Sequence, residues 1–421
     1  MGRSRGMSMA VAKHLGKKSS RKGGKRIPKK GSKAVRYGRR YSAAPPKKAT
    51  SMRKTPYVRL KKRTGASESK RRCEVWCTSL PEILSAGDRG VVDLVFEEGM
   101  IRDWGGVRCP FCSSGTLGQL MELKGGRTCS FGWRCPETGC RKRIFPTTLH
   151  PIFKTGHGSA SLQKQAAALF CAIADVPQRK AYTLLGMDHK SVDDIYTSWR
   201  NTAATEAEKE QDKIVLGDGK SWRDAEVDEV STKKKLVWRP PTNPGQKATA
   251  AVARMEWDSW LGMQERGKPE SLVLIQLPKR LTKPAAPGPG PITKEMWTPI
   301  AKKLLENRKI ILHTDGARAY RVRVQGMRRD SVIHKKKKVN GVWKKPKFAK
   351  PNTHVLPDGT KIRCMMGTQT IDGLWKHLRQ QIKDISTSGP YVSRIRHFQW
   401  RWWRKGKDLW KEAGQTVSRT W

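Results

Sequence analysis

Two stretches of the chain, IILHTDGARAY (310–320) and GTQTIDGLWKHLRQQI (367–382), decide the fold. In the first, an apolar run predicts a short buried strand that ends at the pair Asp315-Gly316. In the second, apolar residues recur at helical spacing, so the pattern predicts an amphipathic helix with Asp372 in its first turn. Each stretch therefore delivers one carboxylate to the end of a predicted element.

A third aspartate, Asp228, lies upstream in the strand-like segment DAEVDEVS. Glu226 shares its face of the predicted strand and Glu229 lies on the other face, so a neighbouring glutamate remains an alternative ligand. Each aspartate alone is an ordinary turn or cap residue. Together they predict a two-metal site for Mg²⁺ (or Mn²⁺), bridged by Asp228 and completed by Asp315 and Asp372, because these cations need clustered oxygens.

The order of predicted elements between about residues 214 and 410 is strand, strand, strand, helix, strand, helix, strand, helix. The basic stretch from Lys335 to Gly367 is predicted to be a long loop. This order is compatible with an RNase H-like α/β domain, in which a mixed sheet presents carboxylates at strand ends. Residues 411–421 are assigned to a C-terminal tail.

Charge points to a polyanionic partner. The 421 residues carry a formal net charge of +51, and only 36% of them are hydrophobic. Such a charge is self-repelling unless the protein works against a polyanion, and nucleic acid is the commonest one. A ribosomal or chromatin packing protein is the alternative on charge alone. No run of eighteen apolar residues occurs and no signal peptide is evident, so we expect an intracellular protein that does not enter a membrane.

The first 72 residues contain one acidic residue, Glu68, among many lysines and arginines. Without apolar periodicity, this segment is predicted to be a disordered basic tail. Its charge runs indicate a nuclear-localisation signal or a phosphate-binding arm, and therefore a nuclear protein. An organellar transit peptide is the alternative.

A zinc ribbon is predicted within residues 73–153. CPFC (109–112) and CPETGC (135–140) bring together four thiols, Cys109, Cys112, Cys135 and Cys140. Two such knuckles can close a tetrahedron around structural Zn²⁺, which supplies folding energy to a small basic module. Unliganded buried thiols are the alternative.

Residues 159–205 are predicted to form a helical DNA-binding module of the helix-turn-helix type. PQRKAYTLLG and DHKSVDDIYTSWRN supply a helix, a glycine turn and a second helix capped by Asp188. Lys190 and Arg200 are the candidate DNA contacts on the second helix. Asp193 and Asp194 would face phosphates unfavourably, so a plain three-helix packing unit is the alternative.

Further candidate DNA contacts lie nearer the C-terminus. Lys376, Arg379 and Lys383 form a basic stripe behind Asp372 on its helix. In HFQWRWWRKGKDLW, Arg401 and Arg404 alternate with tryptophans that can stack on unpaired bases. The alternative is that these tryptophans cover the sheet.

At the level of motifs, the chain resembles the Merlin-type transposases and their bacterial insertion-sequence relatives. CPFC with WRCPETGCRKRIFPTTLHPIF is similar to the zinc ribbon of that family. AEVDEV, HTDGARAY, VIHKKKK, THVLPDG, GTQTIDGLWKHLR and FQWRWWRKG follow in the order of its catalytic domain, over roughly residues 95–410.

The resemblance implies an RNase H-like fold, with Asp228, Asp315 and Asp372 as the catalytic triad. It also implies cut-and-paste transposition of DNA with terminal inverted repeats, by a homo-oligomer in a synaptic complex. The third acid is usually glutamate, whereas this chain has the shorter Asp372. A domesticated or decayed transposase that binds DNA without cutting it is the rival hypothesis.

Overall fold

The structure is a computed structural model of the 421-residue chain. It describes residues 76–123, 125–126, 128–156, 158–239, 252–332, 337–339, 341–344, 348–382 and 391–420. The predicted basic tail (1–72) and Lys383 lie outside these residues.

Nine α-helices occur in the described residues: α1 (Leu80–Ser85), α2 (Gly87–Glu97), α3 (Leu162–Ile173), α4 (Gln178–Leu185), α5 (His189–Asp212), α6 (Lys294–Leu305), α7 (Gln369–Ile382), α8 (Tyr391–Trp403) and α9 (Leu409–Ser418). Within this part of the chain, none of them has the length and apolar character needed to cross a membrane.

The strands of the described residues are β1 (Met121–Glu122), β2 (Phe131–Arg134), β3 (Arg143–Ile144), β4 (Arg223–Arg239), β5 (Val252–Glu265), β6 (Val273–Gln276), β7 (Arg280–Thr282), β8 (Ile310–Thr314), β9 (Met327–Ser331), β10 (Lys337–Val339), β11 (Val342–Lys344), β12 (Lys350–Val355) and β13 (Lys361–Met366). The stretch that was predicted to be a long loop therefore contains two hairpins, β10–β11 and β12–β13.

The central sheet is mixed, as the sequence predicts. Its six strands run β6-β5-β4-β8-β9, with β7 paired to β5. Strand β4 is antiparallel to β5 and parallel to β8, and β9 continues the parallel half. The β4–β5 register shifts by one residue between Ser231 and Lys233, which marks a β-bulge.

The two faces of this sheet differ in chemistry. On β4, Asp224, Glu226 and Asp228 alternate with Ala225 and Val227. Successive side chains of a strand point to opposite faces, so the acids share one face. The apolar face packs on α6 through Trp297 in its own hydrophobic cluster. The acidic face is covered by α7, whose buried residues belong to a second cluster.

That second cluster joins the N-terminal half of the described chain to the C-terminal helices. It contains residues of α2, α3, α5, β5, α7, α8 and α9. Between α5 and α8, the rings of Trp199 and Trp400 meet edge to face at 5.0 Å, and Trp199 Nε1 donates to His397 Nε2 at 3.0 Å. The predicted intervals 73–153, 159–205 and 214–410 thus share this cluster, while a separate small cluster around Trp104 and Trp133 lies within 73–153.

Local structure in the helical segment follows the prediction. Helix α4 ends at Gly186, whose φ of 55° is the left-handed conformation that favours glycine. Asp188 then caps α5 by accepting hydrogen bonds from the backbone N–H groups of Lys190 and Ser191. The assignment of residues 411–421 to a tail is wrong, because most of them belong to α9, which buries Ala413 and Val417 completely.

Gly262 on β5 tests the contact between α7 and the sheet. A Cβ there would lie 2.6 Å from Trp375 Cη2 and 3.1 Å from Ile371 Cδ1. We expect Gly262→Ala to lower the free energy of unfolding by about 1–3 kcal/mol, because α7 must move away from the sheet. Denaturant titration of the purified chain measures this change.

Gly373 on α7 is the matched control, because a Cβ there meets nothing within 4 Å. Gly373→Ala should leave stability unchanged or raise it by up to about 1 kcal/mol, since alanine is the better helix former. Equal effects of the two substitutions would contradict the packing of α7 on β5.

Candidate functional site

Strand register brings Asp228 and Asp315 side by side. The parallel pair β4–β8 aligns Glu226 with His313. Asp228 lies two residues after Glu226 on β4, and Asp315 lies two residues after His313, directly after the end of β8. Both carboxylates are therefore at the same edge and on the same face of the sheet. Just after β8, the carboxylate of Asp315 accepts a hydrogen bond from the backbone N–H of Ala317 at 2.8 Å. These two acids therefore start from adjacent, fixed backbone positions.

Helix α7 carries Asp372 to the same edge. Trp375, three residues after Asp372, donates from Nε1 to Asp228 Oδ2 at 3.1 Å. Residues three apart on a helix are neighbours on its surface, so this bond places the first turn of α7 beside Asp228. Asp372 is exposed, and Thr368 Oγ1 donates to its Oδ2 at 3.3 Å.

A buried ion pair fixes the start of α7. Glu226 and Arg266 are both fully buried, and Arg266 Nε donates to Glu226 Oε1 at 2.7 Å. Glu226 also accepts hydrogen bonds from the backbone N–H groups of Thr370 and Ile371, at 2.7 and 3.1 Å. A carboxylate is favourable there because it satisfies unpaired N–H groups at the positive end of the helix dipole. Glu226 is thus an anchor of α7 rather than an alternative metal ligand.

Arg266 extends this anchor to the segment before the helix. Its two terminal nitrogens donate to the carbonyl oxygens of Met365 and Gly367. The last residues of β13 and the first turn of α7 are therefore held by one guanidinium–carboxylate pair.

Negative charge accumulates around Asp228. Burial and, after it, the nearby carboxylates of Glu229, Asp372 and Asp315 together raise the pKa of Asp228 to about 8. Burial and Asp315 also raise the pKa of Glu229 to about 7, against the hydrogen bond that Tyr320 Oη donates at 2.5 Å. A bound cation would relieve this repulsion, so the oxygen-rich site fits a divalent metal.

The three aspartates do not form a group whose oxygens all lie within 4.8 Å of one another, among the described residues. In this arrangement, the three carboxylates therefore do not form a compact set of ligands for a single ion.

The cysteine cluster is compact. Cys109, Cys112, Cys135 and Cys140 place their sulfurs within 4.8 Å of one another, and two of the separations are 3.9 and 3.7 Å. A tetrahedron with metal–sulfur bonds of about 2.3 Å has sulfur separations of about 3.8 Å. Backbone N–H groups of Gly115 and Ser114 lower the pKa of Cys112 to about 6, whereas burial raises the pKa of Cys135 to about 12. The protein alone therefore favours the Cys112 thiolate, and a bound cation would favour the others. This cluster could bind a metal ion.

Exposure separates the predicted DNA contacts into two groups. Lys190, Lys376 and Arg379 are exposed. Arg200 is buried over the ring of Tyr196, and burial lowers its pKa to about 10. The prediction that Arg200 faces DNA is therefore corrected.

Arg401 and Arg404 also form ion pairs within the protein. Arg401 Nη1 lies 3.2 Å from Asp175, and Arg404 pairs with Glu210 and Glu412 at 2.7 and 3.0 Å. Both side chains are largely buried, at 14% and 4% exposure. These arginines join helices instead of reaching DNA, which corrects their predicted role. Trp400, Trp403 and Trp410 are buried as well, so they are core residues. Trp400 packs on Trp199 and Trp410 on Phe170, which are contacts between helices rather than the predicted cover of the sheet.

Sequence reasoning missed Arg266 as a functional residue. Its partners are 40 residues away at Glu226 and about 100 residues away near Gly367. No local pattern signals such a contact. The alternation of Asp224, Glu226 and Asp228 was the available sign that one face of β4 is entirely acidic.

Comparison with known proteins assigns no family to the chain. No protein-family model matches the chain, and no curated protein matches it. Solved structures that it resembles include a Mos1 strand transfer complex (16% identity, TM-score 0.10, 40% of this chain and 55% of that one). Another is a mariner Mos1 paired end complex with Mg (15% identity, TM-score 0.11, 40% of this chain and 56% of that one). A third is a pre-cleavage Mos1 transpososome (12% identity, TM-score 0.13, 63% of this chain and 80% of that one). The first two matches span little more than half of the neighbour's chain, and TM-scores this low establish neither a shared fold nor a shared function.

The buried ion pair generates a stability prediction. We expect Glu226→Gln to lower the free energy of unfolding by about 3–5 kcal/mol, because the substitution leaves the Arg266 guanidinium buried without its anion. Asp93→Asn is the control: Asp93 pairs at 2.9 Å with Arg89, and their side chains are 44% and 58% exposed, so its loss should cost less than about 1 kcal/mol. Similar losses in both variants would contradict an anchoring role for Glu226.

The crowding of acids generates a pH prediction. Folded Asp228 keeps its proton up to about pH 8, whereas its ordinary pKa is 3.8, so the folded state binds more protons between these values. The contribution of Asp228 to stability is therefore greatest at low pH and is lost as the pH rises through this window.

Denaturant titrations without divalent metal, at about pH 5 and about pH 8, measure this loss. The fall in stability should be smaller in Asp228→Asn, which cannot ionise. An equal fall in the variant would show that Asp228 does not titrate as described.

Proposed function

We propose that this protein is a DNA transposase that cleaves and joins DNA strands by metal-dependent phosphoryl transfer. The observation that carries the proposal is the convergence of Asp228, Asp315 and Asp372 at one edge of the sheet, where burial and the neighbouring carboxylates raise the pKa of Asp228 to about 8. In a chain with a net charge of +51, this acidic site calls for two kinds of partner. Divalent cations suit the carboxylates, and a polyanion suits the rest of the surface.

The fold that we infer is RNase H-like. A mixed sheet with β4 and β8 parallel at its centre supports this inference, because the first two acids stand at neighbouring strand positions. Helix α7, which brings the third acid across the same face, supports it too. Together with the motif order in the sequence, these features favour a Merlin-type transposase.

We propose that Asp228, Asp315 and Asp372 would hold two Mg²⁺ (or Mn²⁺) ions, with Asp228 as the shared ligand and Asp315 and Asp372 as one further ligand each. When bound, such ions would supply activation of an attacking hydroxyl and stabilisation of the leaving oxygen of a phosphodiester. The residues of the chain hold the carboxylates in place. The Nε1–H of Trp375 fixes one oxygen of Asp228, and the Glu226–Arg266 pair fixes the helix of Asp372.

DNA would approach along the exposed side of α7. Lys376 and Arg379 follow Asp372 by about one and two turns, so their positive charges can line up with successive phosphates. Lys190, exposed in the first turn of α5, is a further candidate contact. Lys383 is proposed for the same stripe, although it lies outside the described residues.

Structural Zn²⁺ is proposed for Cys109, Cys112, Cys135 and Cys140, whose sulfur separations fit a tetrahedron. We further propose terminal inverted repeats and target DNA as the substrates, a homo-oligomer in the synaptic complex, and the nucleus as the place of action.

A second candidate function, DNA binding without catalysis, is favoured by one observation. The three carboxylates leave more than 4.8 Å between at least two of their oxygens, and Asp372 is one methylene shorter than the glutamate usual in such motifs. A domesticated or decayed transposase would keep the basic surface and lose turnover. It would bind DNA with strong salt dependence and leave it uncut.

Strand cleavage of end-labelled duplexes tests the first function. The duplexes carry the sequences that flank the coding region, and the reaction contains Mg²⁺ or Mn²⁺. We expect Asp228→Asn and Asp315→Asn each to reduce cleavage by at least about 100-fold, because each removes charge that holds the metals. DNA binding should remain, since neither substitution removes a cation.

Asp93→Asn is the matched control, because Asp93 is partly exposed on α2 and pairs with Arg89, four residues away on the same helix. It should cut like the parent chain. Full cutting by the Asp228 and Asp315 variants would reject the assigned site. Salt-sensitive binding with no metal-dependent cutting by the parent chain would favour the non-catalytic function.

A further inference from the structure

A second polar cluster lies on the acidic face of the sheet, apart from the three aspartates. Its five members are at most 8% exposed: Asp224, His313, Asp330, His354 and Cys364. Carboxylate, imidazole and thiol groups seldom share a buried position unless hydrogen bonds or a metal satisfy them. None of these residues has a role in the proposed reaction.

Strand register assembles the sheet side of this cluster. His313 on β8 stands beside Asp330 on β9, and its ring contacts both Asp330 Oδ1 at 2.7 Å and Asp224 Oδ1 at 3.3 Å. The ring therefore lies between two carboxylates of neighbouring strands.

The β12–β13 hairpin supplies the other side. Cys364 pairs with Asn352, two residues before His354, so the thiol and the His354 imidazole stand diagonally on one face of the hairpin. His354 Nε2 lies 2.8 Å from Asp330 Oδ2, which brings that face against the sheet. Only tertiary packing unites these residues.

The geometry suits a transition metal. Asp330, His354 and Cys364 each offer one donor atom, and the three atoms lie within 4.8 Å of one another. Ligands of a tetrahedral zinc ion are about 3.3–3.8 Å apart, so shifts of about an ångström or less bring all three into place. Asp224, His313 and Cys364 form a second trio around the same sulfur, which concentrates donors at this point.

The charge state also suits a cation. Although burial would raise the pKa of Asp330, hydrogen bonds with His313 and His354 lower it well below its ordinary value. Asp330 is therefore an anionic oxygen donor inside the protein. A carboxylate, an imidazole and a thiol together match the ligand preferences of Zn²⁺, whereas Mg²⁺ prefers oxygen donors alone.

We propose that Asp330, His354 and Cys364 bind a Zn²⁺ ion, distinct from the ion of the four-cysteine cluster. In this site, His313 orients the Asp330 carboxylate through a hydrogen bond to its Oδ1 atom. His313 is then a positioning residue, since ligating groups are commonly held by a hydrogen bond from a neighbouring side chain.

This ion would link the β12–β13 hairpin to strand β9. The hairpin ends at Met366 and leads through Gly367 into α7, which carries Asp372. Metal binding at Cys364 would therefore stabilise one end of the segment 364–367, which leads into the helix of Asp372. Arg266 holds the other end of this segment through the carbonyl oxygen of Gly367. The site itself does not depend on the proposed reaction, because its occupancy is measured without DNA.

Zinc content of the purified full-length chain tests the proposal. After exchange into metal-free buffer, mass spectrometry of the metal should find two zinc ions per chain in the parent and one in Cys364→Ala. Cys171→Ala is the matched control: Cys171 is equally buried on α3 but belongs to no donor trio of the described residues, so two ions should remain. His313→Ala should weaken the second site by about 10–100-fold, as loss of an orienting partner does.

Asp330→Asn separates metal loss from misfolding, because it preserves side-chain shape and removes only the anionic donor. It should lose one zinc ion while keeping the circular dichroism of the parent. Cobalt substitution gives a second readout in a Cys109→Ser, Cys112→Ser chain, in which the four-cysteine cluster is disabled. A sulfur-to-cobalt absorption band should persist in that chain and disappear when Cys364→Ala is added to it. One zinc ion per chain in the parent, unchanged in Cys364→Ala, would overturn the proposal and leave a purely hydrogen-bonded cluster.

Discussion

The arrangement of the acidic face depends on the buried pair between Glu226 and Arg266. Two opposite charges without solvent contact are favourable only where further hydrogen bonds satisfy them, and here the N–H groups of α7 and two backbone carbonyls do so. One pair thereby joins β4, β5, β13 and the first turn of α7.

The same face shows how a fold can place like charges close together. Asp228 stands among carboxylates that raise its pKa, an arrangement that opposes folding unless a proton or a cation is present. The apolar clusters on both sides of the sheet offset that cost. A region that is costly for stability and rigidly supported from behind is typical of a functional site.

Much of the local structure is predictable from sequence, whereas the tertiary pairings are not. The strand ending at Asp315, the helix of Asp372 and the compact four-cysteine set follow from periodicity and spacing, and the structure confirms each as a local element. The β12–β13 hairpin was missed although its Pro357-Asp358-Gly359 turn signals it. Arg404 was misjudged because its partners, Glu210 and Glu412, come from distant helices. Charge counts cannot tell an arginine on the surface from one that joins helices.

The β-bulge between Ser231 and Lys233 has a consequence for how this chain can change over time. A single-residue insertion between Arg223 and Asp228 would turn Asp228 toward the face that packs on α6, since strand side chains alternate. Beyond the bulge, β4 and β5 continue as a paired ribbon, and the bulge already absorbs one extra residue. A change of length in that outer ribbon would therefore leave the direction of the Asp228 side chain unchanged.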